Sequence, residues 1–147
     1  MIFDAQTLFS DGQAVTATAA STNTIDLGAT GTPYGGSALV RDPGKGCKVP
    51  ISVTVTEAFA TLTSLTISVE TDDNTGFSSA ATVFTTTAIP VATLVLGYSV
   101  PMLIEIPEGT KERYVRLKYT VGGSIATAGK ITAGIVAARQ TNFVGGQ

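Results

Sequence analysis

Few residues in this chain are of the types that carry out catalysis. Histidine is absent, which removes histidine-based triads and histidine-ligated metal sites from consideration. The single cysteine, Cys47, is flanked by Lys45 and Lys48, which supply positive charge but no general base. We therefore expect Cys47 to be a plain thiol and the chain to have no enzymatic activity.

Two segments could in principle bind a charged ligand. Residues 70–74 read ETDDN, a composition like that of a calcium loop but without the ligand spacing of an EF-hand. We expect a hairpin turn in which Asp and Asn side chains accept hydrogen bonds from their own backbone. The alternatives are a metal site and a catalytic pair of carboxylates. The glycine-rich residues 28–36 lack the Gly-Lys-Ser/Thr ending of a phosphate-binding loop and are predicted to form a plain loop. No cofactor is expected.

The best candidates for a binding surface are aromatic and basic residues. Tyr114, Arg116 and Lys118 fall at alternate positions, so a strand would place them on one face, and Tyr and Arg are common interface anchors. A protein interface and a plain solvated face both remain open. Phe143 stands alone in a polar, glycine-rich tail and is expected to dock on a neighbouring subunit or on the same fold.

The elements that position these residues are predicted to be strands. Thr, Ser, Val and Ile dominate the chain, and apolar and polar residues alternate most clearly in residues 51–56, 64–70 and 112–119. Weaker strands are predicted at residues 14–19, 25–27, 81–85, 91–96, 102–106 and 130–138. About eight or nine short strands with turns between them predict an all-β, antiparallel two-sheet sandwich of jelly-roll type.

The alternation in residues 112–121 also predicts which side chains are buried. The inward set is Val115, Leu117, Tyr119 and Val121. An aspartate at position 115 or 117 should therefore prevent folding, whereas the outward Arg116 should be replaceable by alanine with little effect.

Length and charge limit the organisation and the partners. The 147 residues fit one domain, predicted as residues 1–138 with an N-terminal extended segment, followed by a C-terminal arm at 139–147. Nine basic residues against eleven acidic ones argue against nucleic acid as a partner. No signal-like start or long apolar run is present, so we expect no membrane contact and synthesis in the cytoplasm. Positive mean hydropathy favours apolar surface covered by a partner or by further copies.

Five segments together carry a family resemblance over nearly the whole chain. They are FSDGQAVT (9–16), AASTNTIDLG (19–28), TDDN (71–74), ERYVRL (112–117) and GKITAGIV (129–136). This combination resembles the cement, or decoration, proteins of tailed bacteriophage heads, of the Bordetella-phage type. The resemblance implies a jelly roll that forms symmetric homo-oligomers on the outer surface of the capsid, binds the major capsid protein and bridges neighbouring capsomers. It brings no catalytic residue.

Two other functions fit an all-β chain of this size. A lectin-like carbohydrate-binding sandwich has the same architecture, although tryptophan is absent and no aromatic platform is evident. A tail or head–tail connector component is the other alternative. The slight excess of acidic residues favours a location outside the shell, away from packaged DNA.

Overall fold

The computed structural model describes residues 3–46, 48–100 and 104–137. Within these ranges the chain forms ten β-strands and one 3₁₀ turn, with no α-helix. The strands are β1 (Leu8–Ala14), β2 (Ala19–Ala20), β3 (Ile25–Asp26), β4 (Val49–Ala60), β5 (Ser64–Asp72), β6 (Ala81–Thr85), β7 (Ile89–Pro90), β8 (Ile104–Ile106), β9 (Tyr114–Gly122) and β10 (Ala128–Ile135). The 3₁₀ turn covers Val91–Thr93, so the described part of the chain has no helix that could cross a membrane.

The strands form two sheets in which neighbouring strands are antiparallel. The first sheet has the order β1-β10-β4-β8, and the second has the order β2-β9-β5-β6, with β3 also beside β9 and β7 beside β5. Successive parts of the chain pass back and forth between the two sheets. The predicted antiparallel two-sheet sandwich is confirmed. The jelly-roll arrangement stays a prediction, which this alternation between sheets favours.

The core lies between the sheets and is filled from both sides. The side chains that are at most 1% exposed include Phe9, Ile51, Val53, Val55 and Ile131 from the first sheet and Leu65, Ile67, Val69, Val115, Leu117 and Tyr119 from the second. Most of these residues alternate with more exposed ones on the long strands, as period-two patterning requires; Ser52 in β4 and Glu70 in β5 are buried as well. The inward phase predicted for Val115, Leu117 and Tyr119 is confirmed, while Val121 is half-buried.

One hydrogen bond inside the core joins the two sheets. The hydroxyl of Tyr119 on β9 lies 2.8 Å from Ser10 Oγ on β1, and Ser10 Oγ donates to Gln13 Oε1 at 2.7 Å. Burial raises the pKa of Tyr119, against the opposing effect of the Ser10 hydrogen bond. The ring thus fills the core while its polar end is satisfied.

Two of the weaker strand predictions are wrong. The predicted strand at 14–19 is replaced by β1, which ends at Ala14, and by the two-residue β2. The predicted strand at 91–96 is replaced by the 3₁₀ turn, after which Leu94 enters the core. Cys47, the first part of the predicted strand 102–106, the end of the predicted strand 130–138 and the arm 139–147 lie outside the described residues.

Candidate protein interface

Tyr114, Arg116 and Lys118 lie together on the outer face of the second sheet. They project from β9, whose intervening residues point into the core. β9 runs between β5 on one side and β2 and β3 on the other. Their register partners on β5 are Asp72, Glu70 and Ser68, in that order. Phe143, the fourth predicted interface residue, lies outside the described residues.

Glu70 organises the charges on this face. Its side chain is only 6% exposed, and its Oε2 accepts from Arg116 Nη2 at 2.7 Å and Nε at 2.9 Å. Glu70 Oε1 lies 3.2 Å from Lys118 Nζ. A buried carboxylate needs such partners because an isolated charge in the protein interior is costly. Both basic residues of the predicted interface are therefore engaged within the chain.

The loop at 73–80, between β5 and β6, covers part of the same face. Phe77 in this loop is 8% exposed, and the Arg116 guanidinium lies 4.0 Å from the centre of its ring. This is the geometry of a cation–π contact. With the Glu70 ion pair on one side and the Phe77 ring on the other, the Arg116 side chain is left 21% exposed.

Asp72 holds this loop in place. Its carboxylate accepts the backbone N–H of Asn74 at 2.9 Å and that of Ser79 at 2.8 Å, and Asn74 Oδ1 accepts the N–H of Gly76 at 2.8 Å. The predicted turn, in which Asp and Asn side chains bond nearby backbone, is confirmed. Burial alone would raise the pKa of Asp72, but these hydrogen bonds outweigh it and hold that pKa below its usual value.

Asp73 behaves differently from its neighbour. Its pKa is raised, first by a hydrogen bond shared with Asp72 and then by burial and by the nearby negative charges.

The residues that the structure describes contain no group of three or more acidic, histidine or cysteine side chains that could hold a metal ion.

The contacts of Arg116 argue against the expectation that alanine could replace it with little effect. The side chain does point outward, as predicted. However, its removal would take away two donors of a buried carboxylate and uncover Phe77. Leaving a buried charge short of partners is destabilising, so Arg116 has a role in folding that its position in the alternation does not reveal.

Tyr114 lies beside a second ion pair at the start of β9. Arg113 donates through Nε and Nη2 to the two carboxylate oxygens of Asp26, at 2.7 and 2.6 Å, and its guanidinium lies 5.1 Å from the centre of the Tyr114 ring. The Arg113 hydrogen bonds, with a further one from the N–H of Gly28, lower the pKa of Asp26 to about 2. This pair fixes the end of β3 against β9.

Sequence reasoning missed a group of exposed apolar side chains. Tyr34, Leu39 and Val40 are 108%, 57% and 75% exposed, and all three lie in the connection between β3 and β4. The sequence does contain a signal, because residues 28–40 include no charged side chain. A connection of this length without strands is uncommon in a compact domain and is often functional.

The fold and this surface define the class of protein. It is an antiparallel β-sandwich, and the charged side chains on the outer face of its second sheet are paired with one another. The chain belongs to the Bbp16 family, whose model matches residues 9–135. The family name is that of a Bordetella phage protein, which is compatible with a structural role in a virion. No curated protein matches the chain.

Proposed function

We propose that this protein is a capsid cement protein that binds the outer surface of a tailed-phage head. It would contact the major capsid protein, bridge neighbouring capsomers and act as a symmetric homo-oligomer. The observation that carries the proposal is the family match, because it spans residues 9–135. That range runs from within β1 to the last residue of β10, so the whole sandwich is the unit shared with a phage protein family.

The charge of the chain supports a place outside the shell. Eleven acidic residues exceed nine basic ones, and on the outer face of the second sheet the two basic residues of β9 are paired with Glu70. A surface that lined a DNA-filled head would instead need basic side chains free to meet phosphates. Because its basic side chains are paired within the chain, this face is poorly suited to binding DNA.

The proposed mechanism is the addition of many modest contacts. A standard protein interface buries about 1,600 Å² in total. A copy that touches two capsomers at once gains avidity, which can raise the effective affinity by about 10²–10⁴ over a single contact. Repetition over a shell would then resist the outward pressure of packaged DNA.

The proposal is tested by comparing binding to assembled and dissociated capsid protein. Purified protein is co-sedimented with mature shells that lack it, and its binding to free capsid subunits is measured in parallel. We expect much tighter binding to shells, because a site made from two capsomers exists only in the lattice. Equal binding to both forms would contradict bridging, and binding to neither would favour the carbohydrate-binding alternative, which a glycan-binding assay would then examine.

A further inference from the structure

The connection between β3 and β4 contains a projecting loop, residues 28–41. The N–H of Leu39 donates to the carbonyl of Gly31 at 3.0 Å, and the N–H of Gly36 donates to the carbonyl of Pro33 at 3.0 Å. At the base, the Arg41 guanidinium donates to the carbonyl of Gly28. The loop is therefore closed by its own hydrogen bonds.

The base of the loop is fixed to the second sheet. Asp26, the last residue of β3, is paired with Tyr114 of β9 and is held there by Arg113. Its Oδ1 also accepts the N–H of Gly28 at 2.8 Å. The loop thus leaves the sandwich beside the Tyr114 end of β9.

The loop itself contributes little to the core of the sandwich. All twelve residues from 29 to 40 are exposed, and none of them is charged. Tyr34, Leu39 and Val40 are three of the six large apolar side chains that the described residues expose; the others are Val95, Leu96 and Ile125. Exposed apolar side chains grouped on one short loop are a common mark of an interaction site.

We infer that the projecting loop is the element that docks this chain into an uncharged, apolar cleft on the surface of the assembled capsid shell. The inference rests on the proposed function and adds the surface that performs it. The absence of charge on residues 29–40 matches a partner surface of the same character, whereas Arg116 and Lys118 on the outer face of the second sheet are already paired with Glu70. The size also fits: twelve residues fall short of the roughly 20–30 per side of a stable dimer interface, but suffice for one insertion in a larger contact.

The test compares two matched triple variants of the full chain. The first variant replaces Tyr34, Leu39 and Val40 with serine. The control variant makes the same replacement at Val95, Leu96 and Ile125, which are also apolar and exposed. Co-sedimentation with shells lacking the protein should show that the loop variant binds about tenfold more weakly or worse, with the control near wild type. The loss should be similar at low and high salt, because no charge is removed.

Two further measurements keep the outcomes distinct. Thermal melts should show both variants folded, since all six side chains are exposed, and the mass in solution should equal that of wild type. If wild type does not bind shells, the proposed function fails; if wild type and loop variant bind equally, the loop assignment fails. A loop variant whose oligomer falls apart would show that a second copy, and not the shell, covers the loop.

Discussion

At the scale of single residues, Glu70 determines how the basic side chains on the outer face of the second sheet are paired. A carboxylate on an outward position is normally solvated, but Glu70 is covered by Arg116 and Lys118 and is almost fully buried. The alternation of β5 and β9 correctly predicts the direction of these side chains. The alternation could not predict that Glu70 is buried, because the loop at 73–80, which carries Phe77, covers the face only in the folded structure.

Replacement of Arg116 by alanine should destabilise the domain by about 1–3 kcal/mol, since a buried carboxylate loses charged hydrogen bonds. Lys118 remains near Glu70, which limits the loss. The control is Lys130→Ala, which breaks the pair with Glu57 in which both side chains are nearly half exposed, and should cost much less stability because exposed ion pairs contribute little. Urea unfolding measures both variants. Equal costs would show that the burial of Glu70 has no energetic weight.

Replacement of Val115 or Leu117 by aspartate should prevent stable folding. Both side chains are fully buried, and an unpaired carboxylate in the core should cost more than about 4 kcal/mol. Thr120→Asp on the same strand is the control, because Thr120 is exposed. Circular dichroism and thermal melts report the result; a stably folded Val115→Asp variant would contradict the prediction that a charge cannot be accommodated at this buried position.

The ion pair of Asp26 with Arg113 should make stability depend on acid. The hydrogen bonds from Arg113 lower the folded-state pKa of Asp26 from 3.8 to about 2. Its stabilising effect is therefore complete above about pH 4 and is lost as the pH falls towards 2. Asp26→Asn should be less stable than wild type at pH 6, with the difference shrinking over that range in urea titrations. A difference that stays constant with pH would contradict this assignment.

At the scale of elements, the long strands could be predicted and the irregular ones could not. Period-two patterns predict parts of the three long strands: residues 51–56 lie within β4, residues 64–70 lie within β5, and residues 112–119 overlap β9. Most of β1 is not predicted from the sequence. In the structure Gly12 has φ of 54°, and the register with β10 shifts around it. Such a bulge lets a strand continue through turn residues. The apolar residues after Pro90 form a 3₁₀ turn instead of the predicted strand. A short apolar run alone does not distinguish a strand from a buried helical turn.

The loop held by Asp72 should be independent of metal ions. Backbone N–H groups of Asn74 and Ser79 already occupy the carboxylate, so a strong chelator should leave the melting temperature unchanged. Asp72→Ala should lower it, because the N–H groups lose their acceptor. A drop with chelator that calcium restores would overturn the turn interpretation.

At the scale of the whole molecule, the sandwich follows from the strand pattern, whereas the candidate site follows only in part. Tyr114, Arg116 and Lys118 were correctly grouped on one face. Their engagement by Glu70, and the exposure of Tyr34 on the projecting loop, depend on how distant segments fold over or away from the sheets. Those are long-range arrangements, which local patterns of apolar and polar residues do not encode.

The central claim, that this chain is an outer component of a phage head, is tested most directly by density for the whole particle. A cryo-electron microscopy reconstruction should show the two-sheet sandwich in many symmetric copies outside the shell, over the junctions between neighbouring capsomers. The projecting loop should point into the shell. Density for the sandwich confined to the tail or the connector, or lying inside the shell, would contradict the account.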